Sequence, residues 1–145
     1  MEMKLNGLCN LFGVVLWALV GTGTARADPT GLWLAQDGGK VHVGPCGRAL
    51  CGTLVSTEPP IDPTTGRPWT DKNNPDQALR SRPLIGAVVF ISMTPDGPGR
   101  WAGQLYNADS GETVLGRLIE INNQTIRIEG CSGALCGGEN MSRIK

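Results

Sequence analysis

Short stretches that alternate between apolar and polar residues, separated by turn residues, dominate the chain from residue 31 onward. Val41 and Val43 flank His42, and Ile126 and Ile128 alternate with polar neighbours. Trp101 and Leu105 fall on one face of another such stretch. Alternation with a period of two is typical of β-strands that bury one face. About eight such segments at regular spacing predict an all-β domain, a barrel or a sandwich of antiparallel strands.

Residues 85–93 differ from the other segments because apolar residues occupy both faces of the expected strand. A half-exposed strand would alternate, so this pattern predicts that other elements cover the second face. The short helix and the loop that precede the segment are the candidates for that cover.

The one helix signal lies at residues 74–83. Asn74 is a good N-cap residue, and Pro75 suits the first helical position, where its missing N–H is no loss. Pro83 disfavours helical geometry at the residue before it. The sequence therefore predicts a single short helix with Arg80 and Arg82 near its end, followed by a strand that begins near Ile85.

Residues 56–70 are rich in Pro, Thr, Gly and Asp and predict a long irregular loop. Loops of this length are uncommon in compact domains and are often functional. Trp69 lies near its end, where an exposed aromatic side chain is suited to anchoring a protein partner.

Residues 1–27 have the pattern of a secretory signal peptide. Lys4 precedes an apolar run from Leu11 to Val20, and the segment ends in Ala25-Arg26-Ala27. The run is shorter than the roughly 20 residues of a membrane span. We expect cleavage after Ala27, export to the periplasm or beyond, and a single mature domain at 28–145 with no membrane span.

The charges of the mature chain are balanced. The whole chain has 13 basic and 13 acidic residues, and removal of Lys4, Arg26 and Glu2 with the signal leaves a formal charge of −1. No basic patch stands out, so nucleic acid is not an expected partner.

Four cysteines remain in the mature chain: Cys46, Cys51, Cys131 and Cys136. An even number of cysteines in an exported protein predicts two disulfides, and three pairings are possible. The local pairs are favoured because Gly47 and Gly133 let each short loop turn back on itself. The crossed pairing would require the two turns to be neighbours. Structural zinc sites usually space their cysteines more closely, so we expect no metal.

The sequence contains no recognisable constellation for hydrolytic catalysis. The one histidine, His42, points away from the face that Val41 and Val43 share, and no nucleophile motif accompanies it. We therefore expect a protein without enzymatic activity and without a cofactor.

Several motifs together resemble the DUF2147 family of small exported bacterial proteins. These are Gly31-Leu32-Trp33, the turn from Pro45 to Gly52, the stretch from Asn74-Pro75 through Arg82-Pro83 to Gly86, and Trp101 to Tyr106. The resemblance covers essentially the whole mature chain and implies a lipocalin-like up-and-down barrel. In that fold Gly31 and Trp33 lie near the start and Arg143 on the last strand, where its guanidinium would stack on Trp33. The family often has a tryptophan where this chain has Met141.

Two hypotheses follow for function. In the first, the barrel binds a small apolar or amphipathic ligand, with Trp33, Phe90 and Trp101 lining the interior or forming its floor and Arg80 or Arg82 at the mouth. The alternative for the two arginines is structural, because Asp71, Asp76 or the helix end would pair with them. In the second, a rigid barrel presents the 56–70 loop, with Trp69 as anchor, to another protein of the cell envelope.

Overall fold

The computed structural model describes residues 27–144, which form an all-β domain with ten strands and one short helix. The strands are β1 (Gly31–Leu34), β2 (Lys40–Cys46), β3 (Ala49–Ser56), β4 (Ile61–Asp62), β5 (Arg67–Pro68), β6 (Val88–Pro95), β7 (Arg100–Asn107), β8 (Glu112–Asn122), β9 (Thr125–Ser132) and β10 (Leu135–Ile144). Eight of them close into an antiparallel barrel in the order β1-β10-β9-β8-β7-β6-β3-β2. The predicted barrel of about eight strands is confirmed. The predicted signal peptide lies outside the described residues.

The two ends of the barrel differ in how the strands are connected. The turns at 47–48, 96–99 and 123–124 and both ends of the described chain lie at one end, here called the closed end. The turns at 35–39, 108–111 and 133–134 lie at the other, the open end, together with the long connection 57–87 between β3 and β6. Strands β4 and β5 pair with each other within that connection.

Large side chains fill the interior near the closed end. The fully buried residues there include Trp33, Val43, Met93, Leu118 and Ile126. The alternation in β2 is as predicted, with Val41 and Val43 buried and His42 exposed. This cluster forms the hydrophobic core of the domain.

Arg143 closes the barrel over Trp33, as the resemblance implied. Its guanidinium lies 4.3 Å from the centroid of the Trp33 ring. The same group donates to the carbonyl oxygens of Asp28, Thr30 and Asn123, at 3.0, 2.6 and 2.7 Å. Because the three carbonyls belong to the N-terminal segment and the β8–β9 turn, Arg143 ties together three separate parts of the closed end. Met141, in place of the family's tryptophan, is 2% exposed.

Strand β6 departs from the predicted pattern. It begins at Val88 rather than near Ile85, and the expected cover over its second face is incomplete, since Ile85 is 47% and Val88 40% exposed. Phe90 and Met93 are both buried although they are three positions apart, an offset that puts residues of a regular strand on opposite faces. The reason is a β-bulge: the pairing with β7 shifts register between Ile91 and Thr94. Because the bulge exchanges the inward and outward positions of the strand, apolar residues occur at both even- and odd-numbered positions.

The helix is shorter than predicted and starts later. It is a single 3₁₀ turn, Gln77–Leu79, and its N-cap is Asp76, whose carboxylate accepts from the Ala78 N–H at 2.9 Å. Asn74 and Pro75 precede the cap. The Asn74 side chain accepts from the Asp76 N–H at 2.9 Å, so Asn74 shapes the turn before the helix and does not cap it.

The two remaining motif residues of this stretch have separate roles. Pro83 forms an isolated antiparallel bridge with Thr70, which pairs the two arms of the long connection. Gly86 has φ = 94°, a conformation that side chains other than glycine rarely adopt.

Both disulfides are local. Cys46 is bonded to Cys51 and Cys131 to Cys136. The first bridge ties the β2–β3 hairpin at the closed end, and the second ties the β9–β10 hairpin at the open end. The crossed pairing fails because the two turns lie at opposite ends of the barrel.

A buried carboxylate fastens the long connection to the barrel. Asp71 is fully buried and accepts from the Tyr106 hydroxyl at 2.5 Å and from the Asn74 amide at 2.8 Å. The Arg82 guanidinium donates two further bonds to the same carboxylate, at 2.9 and 2.7 Å. Tyr106 belongs to β7, whereas the other three residues belong to the connection, so this cluster joins the connection to the barrel wall.

The cluster sets the charge state of Asp71. Burial by itself raises the pKa of this carboxyl, but the hydrogen bonds from Tyr106, Asn74 and Arg82 outweigh burial and hold the pKa below its ordinary value. Burial and the bond to Asp71 raise the pKa of the Tyr106 hydroxyl. Asp71 therefore remains ionised, with Tyr106 protonated, as the hydrogen bonds require.

None of the helices among residues 27–144 is long and apolar enough to span a membrane.

We expect Arg143→Lys to lower the free energy of unfolding by about 2 kcal/mol, since an ammonium cannot reach three carbonyls and stack on Trp33 at once. Urea unfolding followed by tryptophan fluorescence measures the change. Arg117→Lys, on the exposed face of β8, is the control and should change stability by less than about 0.5 kcal/mol. Equal effects of the two substitutions would contradict the role of Arg143.

We expect Asp71→Asn to lower the free energy of unfolding at pH 7 by about 2 kcal/mol, because Arg82 and Tyr106 lose a charged acceptor. The lowered pKa means that the stabilisation by Asp71 is present above about pH 4 and is lost as the pH falls through the lowered value. Unfolding at pH 7 and in steps down to pH 2 should show a steeper acid loss in the parent than in the variant. Asp96→Asn, in the exposed β6–β7 turn, should leave the acid loss intact.

Candidate functional site

The upper half of the barrel, toward the open end, contains a cavity of about 770 Å³. Phe90, Ile128 and Met141 line its base and separate it from the core at the closed end. Its walls are apolar and come from five strands: Val41, Leu54, Val89, Leu105 and Val114. The barrel interior is thus filled at one end and open at the other.

Glycines on β9 and β10 make room for the cavity. Gly130, Gly137 and Gly138 line one wall, and Gly130 pairs with Gly137 across the two strands. A Cβ atom added at Gly137 would meet nothing within 4 Å, so that position faces open space. Glycine on two adjacent strands removes the side chains that would fill this part of the barrel.

The long connection forms part of the cavity wall at its mouth. Trp69 and Leu84 line the cavity from this connection, and Tyr106 lines it from β7. Trp69 is partly buried, and its indole N–H donates to the Pro59 carbonyl at 2.9 Å. The Lys72 ammonium lies 5.7 Å from the centroid of the Trp69 ring. Since Tyr106 also bonds to Asp71, the buried cluster holds the connection in place beside the cavity.

The polar groups of the cavity are concentrated at the mouth. Four carboxylate side chains line it: Asp37, Glu58, Asp109 and Glu139. The Oγ1 atom of Thr57, another lining residue, is buried and has no hydrogen-bond partner within residues 27–144. Over that same range, no group of three or more histidine, cysteine or acidic residues is arranged to hold a metal ion.

The structure places the predicted ligand-contacting aromatic residues at different depths. Phe90 lines the cavity as predicted. Trp33 and Trp101 lie below its base; Trp33 is fully buried with its N–H bonded to the Pro29 carbonyl at 2.8 Å, and Trp101 is 8% exposed. Both belong to the packed core, so neither contacts the cavity. Both point inward, as expected, and they lie in the core beneath the cavity rather than against a ligand.

Arg80 and Arg82 do not lie at the cavity mouth as free cations. Arg82 pairs with Asp71, and the Arg80 side chain donates to the Asn74 carbonyl at 2.7 Å. Arg82 has the structural partner expected for it, whereas Arg80 is also held within the connection but by the Asn74 carbonyl and not by Asp71, Asp76 or the helix end. Trp69, expected on an exposed anchor loop, lines the cavity instead.

Tyr106, Leu105 and the four carboxylates were not identified from the sequence. The signal for Leu105 was present, because it shares a strand face with Trp101. The carboxylates lie in turns or on a glycine-rich strand, where acidic residues are ordinary, and only the closure of the barrel brings them to one mouth.

Comparison with known proteins places the domain in a family and a fold. The model of a family described as "Uncharacterized protein conserved in bacteria (DUF2147)" matches residues 31–143. Among solved structures, protein HP1028 of Helicobacter pylori, described as belonging to the lipocalin family, is similar with a TM-score of 0.70. The two sequences are 19% identical, and the match covers 83% of this chain and 85% of HP1028. Among curated proteins, none matches the sequence. At this identity the likeness to HP1028 shows the lipocalin-like fold, and the family match shows that the chain belongs to the DUF2147 family.

Proposed function

We propose that the protein binds a small apolar or amphipathic ligand in the cavity of the barrel and has no enzymatic activity. The observation that carries the proposal is the apolar cavity of about 770 Å³ above a closed and fully packed base. Its volume lies within the roughly 300–1,000 Å³ of small-molecule sites.

The energetics of the cavity favour an occupant. Its walls present side chains such as Leu54, Val89 and Leu105 to a space that opens at one end of the barrel. Removing apolar surface from water is favourable by about 25 cal/mol of free energy for each Å² that a ligand covers. Eight-stranded barrels are also wide enough to hold one small ligand, as those of lipocalins do.

The alternative function, an envelope protein module that presents the 56–70 loop, receives less support. That proposal depends on Trp69 as an exposed anchor, and Trp69 instead lies against the cavity with its N–H already bonded. The same residue supports ligand binding, since a partly buried indole at a cavity mouth is suited to contact an apolar ligand.

Two further parts of the proposal concern location and chemistry. The disulfides Cys46–Cys51 and Cys131–Cys136 support residence in an oxidising compartment, which agrees with export by residues 1–27. The chain's one histidine, His42, is exposed on the outer face of β2 and away from the cavity, which supports binding without catalysis.

We expect native mass spectrometry of protein recovered from the periplasm of its expression host to show one additional mass per chain. Extraction with an organic solvent should remove that mass, because the cavity is apolar and opens to solvent. The bare chain, lighter by four hydrogens for two disulfides, should then remain. A bare chain before extraction, together with no uptake of added alkyl ligands, would contradict the proposal.

We expect Gly137→Phe to abolish ligand uptake while changing the free energy of unfolding by less than about 1 kcal/mol. The new ring enters the space into which Gly137 faces, and no neighbouring atom lies within 4 Å of the added Cβ. Gly137→Ala is the matched control, since a methyl group leaves most of the cavity free and should retain binding. Titration with a fluorescent apolar probe measures uptake. Equal binding by the parent and the Phe variant would place the ligand elsewhere.

A further inference from the structure

The charges that line the cavity all have one sign. Asp37 lies in the β1–β2 turn, Glu58 follows β3, Asp109 lies in the β7–β8 turn and Glu139 lies on β10. No Lys, Arg or His among residues 27–144 lines the cavity. The chain as a whole carries 13 basic and 13 acidic residues, so an excess of acidic residues in the sequence does not explain this segregation.

No basic side chain among residues 27–144 forms an ion pair with these carboxylates. The ion pairs among residues 27–144 are Arg82–Asp71 and Arg127–Glu129, and neither involves a carboxylate of the cavity. Asp37 accepts from the Gly39 N–H and Glu139 from the Gln36 N–H, at 2.8 and 2.9 Å. The carboxylates of Glu58 and Asp109 form no hydrogen bond with any other described side chain or backbone group. Negative charge at the mouth is therefore available to a ligand.

A second feature of the cavity favours a positively charged nitrogen. Trp69 and Phe90 line it, and aromatic faces attract cations. The Lys72 ammonium, 5.7 Å from the centroid of the Trp69 ring, already occupies such a position beside the cavity without being one of its lining groups.

We propose that the ligand is a cationic amphiphile, an apolar body that carries a protonated amine. The apolar body lies on the walls of the cavity, and the amine lies at the mouth among Glu58, Asp109, Asp37 and Glu139. This inference rests on the proposed function, because it names the chemical class of the ligand for the same cavity. Arginines at the mouth would have favoured an anionic head group, whereas the carboxylates found there favour a cationic one.

The test compares three probes with the same alkyl chain and different head groups: octylammonium, 1-octanol and octanoate. Calorimetric titration of the disulfide-bonded protein in low-salt buffer at pH 7 should show octylammonium binding about tenfold more tightly than octanoate, with octanol between them. The preference should shrink as salt is raised, since the mouth carboxylates are solvent-exposed and screened.

A pair of double variants separates local charge from net charge. Glu58→Gln with Asp109→Asn should reduce the preference for octylammonium over octanoate to about twofold while leaving octanol binding unchanged. Glu112→Gln with Asp96→Asn removes the same two charges outside the cavity and should keep the full preference. All four residues are exposed, so neither pair removes a buried contact.

The outcomes distinguish the inference from the proposed function. If octanoate binds as tightly as octylammonium, or if the two double variants behave alike, the cationic ligand is wrong while binding in the cavity stands. If none of the three probes binds to the parent protein, the cavity does not take an alkyl chain and both proposals fail.

Discussion

The width of an eight-stranded barrel is fixed by its strands, so the size of each inward side chain decides where the interior is filled. In this protein the inward residues near the closed end are large, and Trp33, Met93 and Leu118 pack without exposure. Toward the open end the inward positions of β9 and β10 include Gly130 and Gly137. Packed core and open cavity are thereby assigned to different halves of one barrel. The packed half includes the Trp33–Arg143 contact, and the other half contains the cavity.

The sequence predicted those parts of the fold that depend on neighbouring residues. Val41 and Val43 defined a strand by alternation, and Gly47 and Gly133 favoured the local disulfides before any tertiary contact was known. The helix start was misplaced for a tertiary reason. The Asn74 NH₂ group donates to the buried carboxylate of Asp71 and to the hydroxyl of Tyr106, 32 residues away along the chain. Its Oδ1 accepts from the Asp76 N–H, so Asn74 belongs to the turn before the helix and the cap falls at Asp76. The sequence around Asn74 does not indicate that Tyr106 will be its hydrogen-bond partner, because that contact forms only in the folded barrel.

The candidate site was harder to predict than the fold because depth along the barrel axis is not encoded in alternation. The pattern correctly pointed Trp33, Phe90 and Trp101 inward, but only Phe90 among them reaches the cavity. The bulge between Ile91 and Thr94 likewise changes the face of β6 without a clear sequence signal. The charge at the mouth depends on which turns meet at the open end, and alternation within single strands does not determine this. Arg80 and Arg82, which were expected at the mouth, bond instead to other residues of the long connection, the Asn74 carbonyl and the Asp71 carboxylate.

Tyr106 lines the cavity, and its hydroxyl bonds to Asp71 of the long connection. Trp69 and Leu84, which belong to that connection, line the cavity as well. Under the proposed function, a ligand in contact with Trp69 and Leu84 would bind more tightly while the connection is attached to the barrel wall. Occupancy of the cavity and attachment of residues 57–87 would then be linked equilibria, each shifting the other by the same free energy.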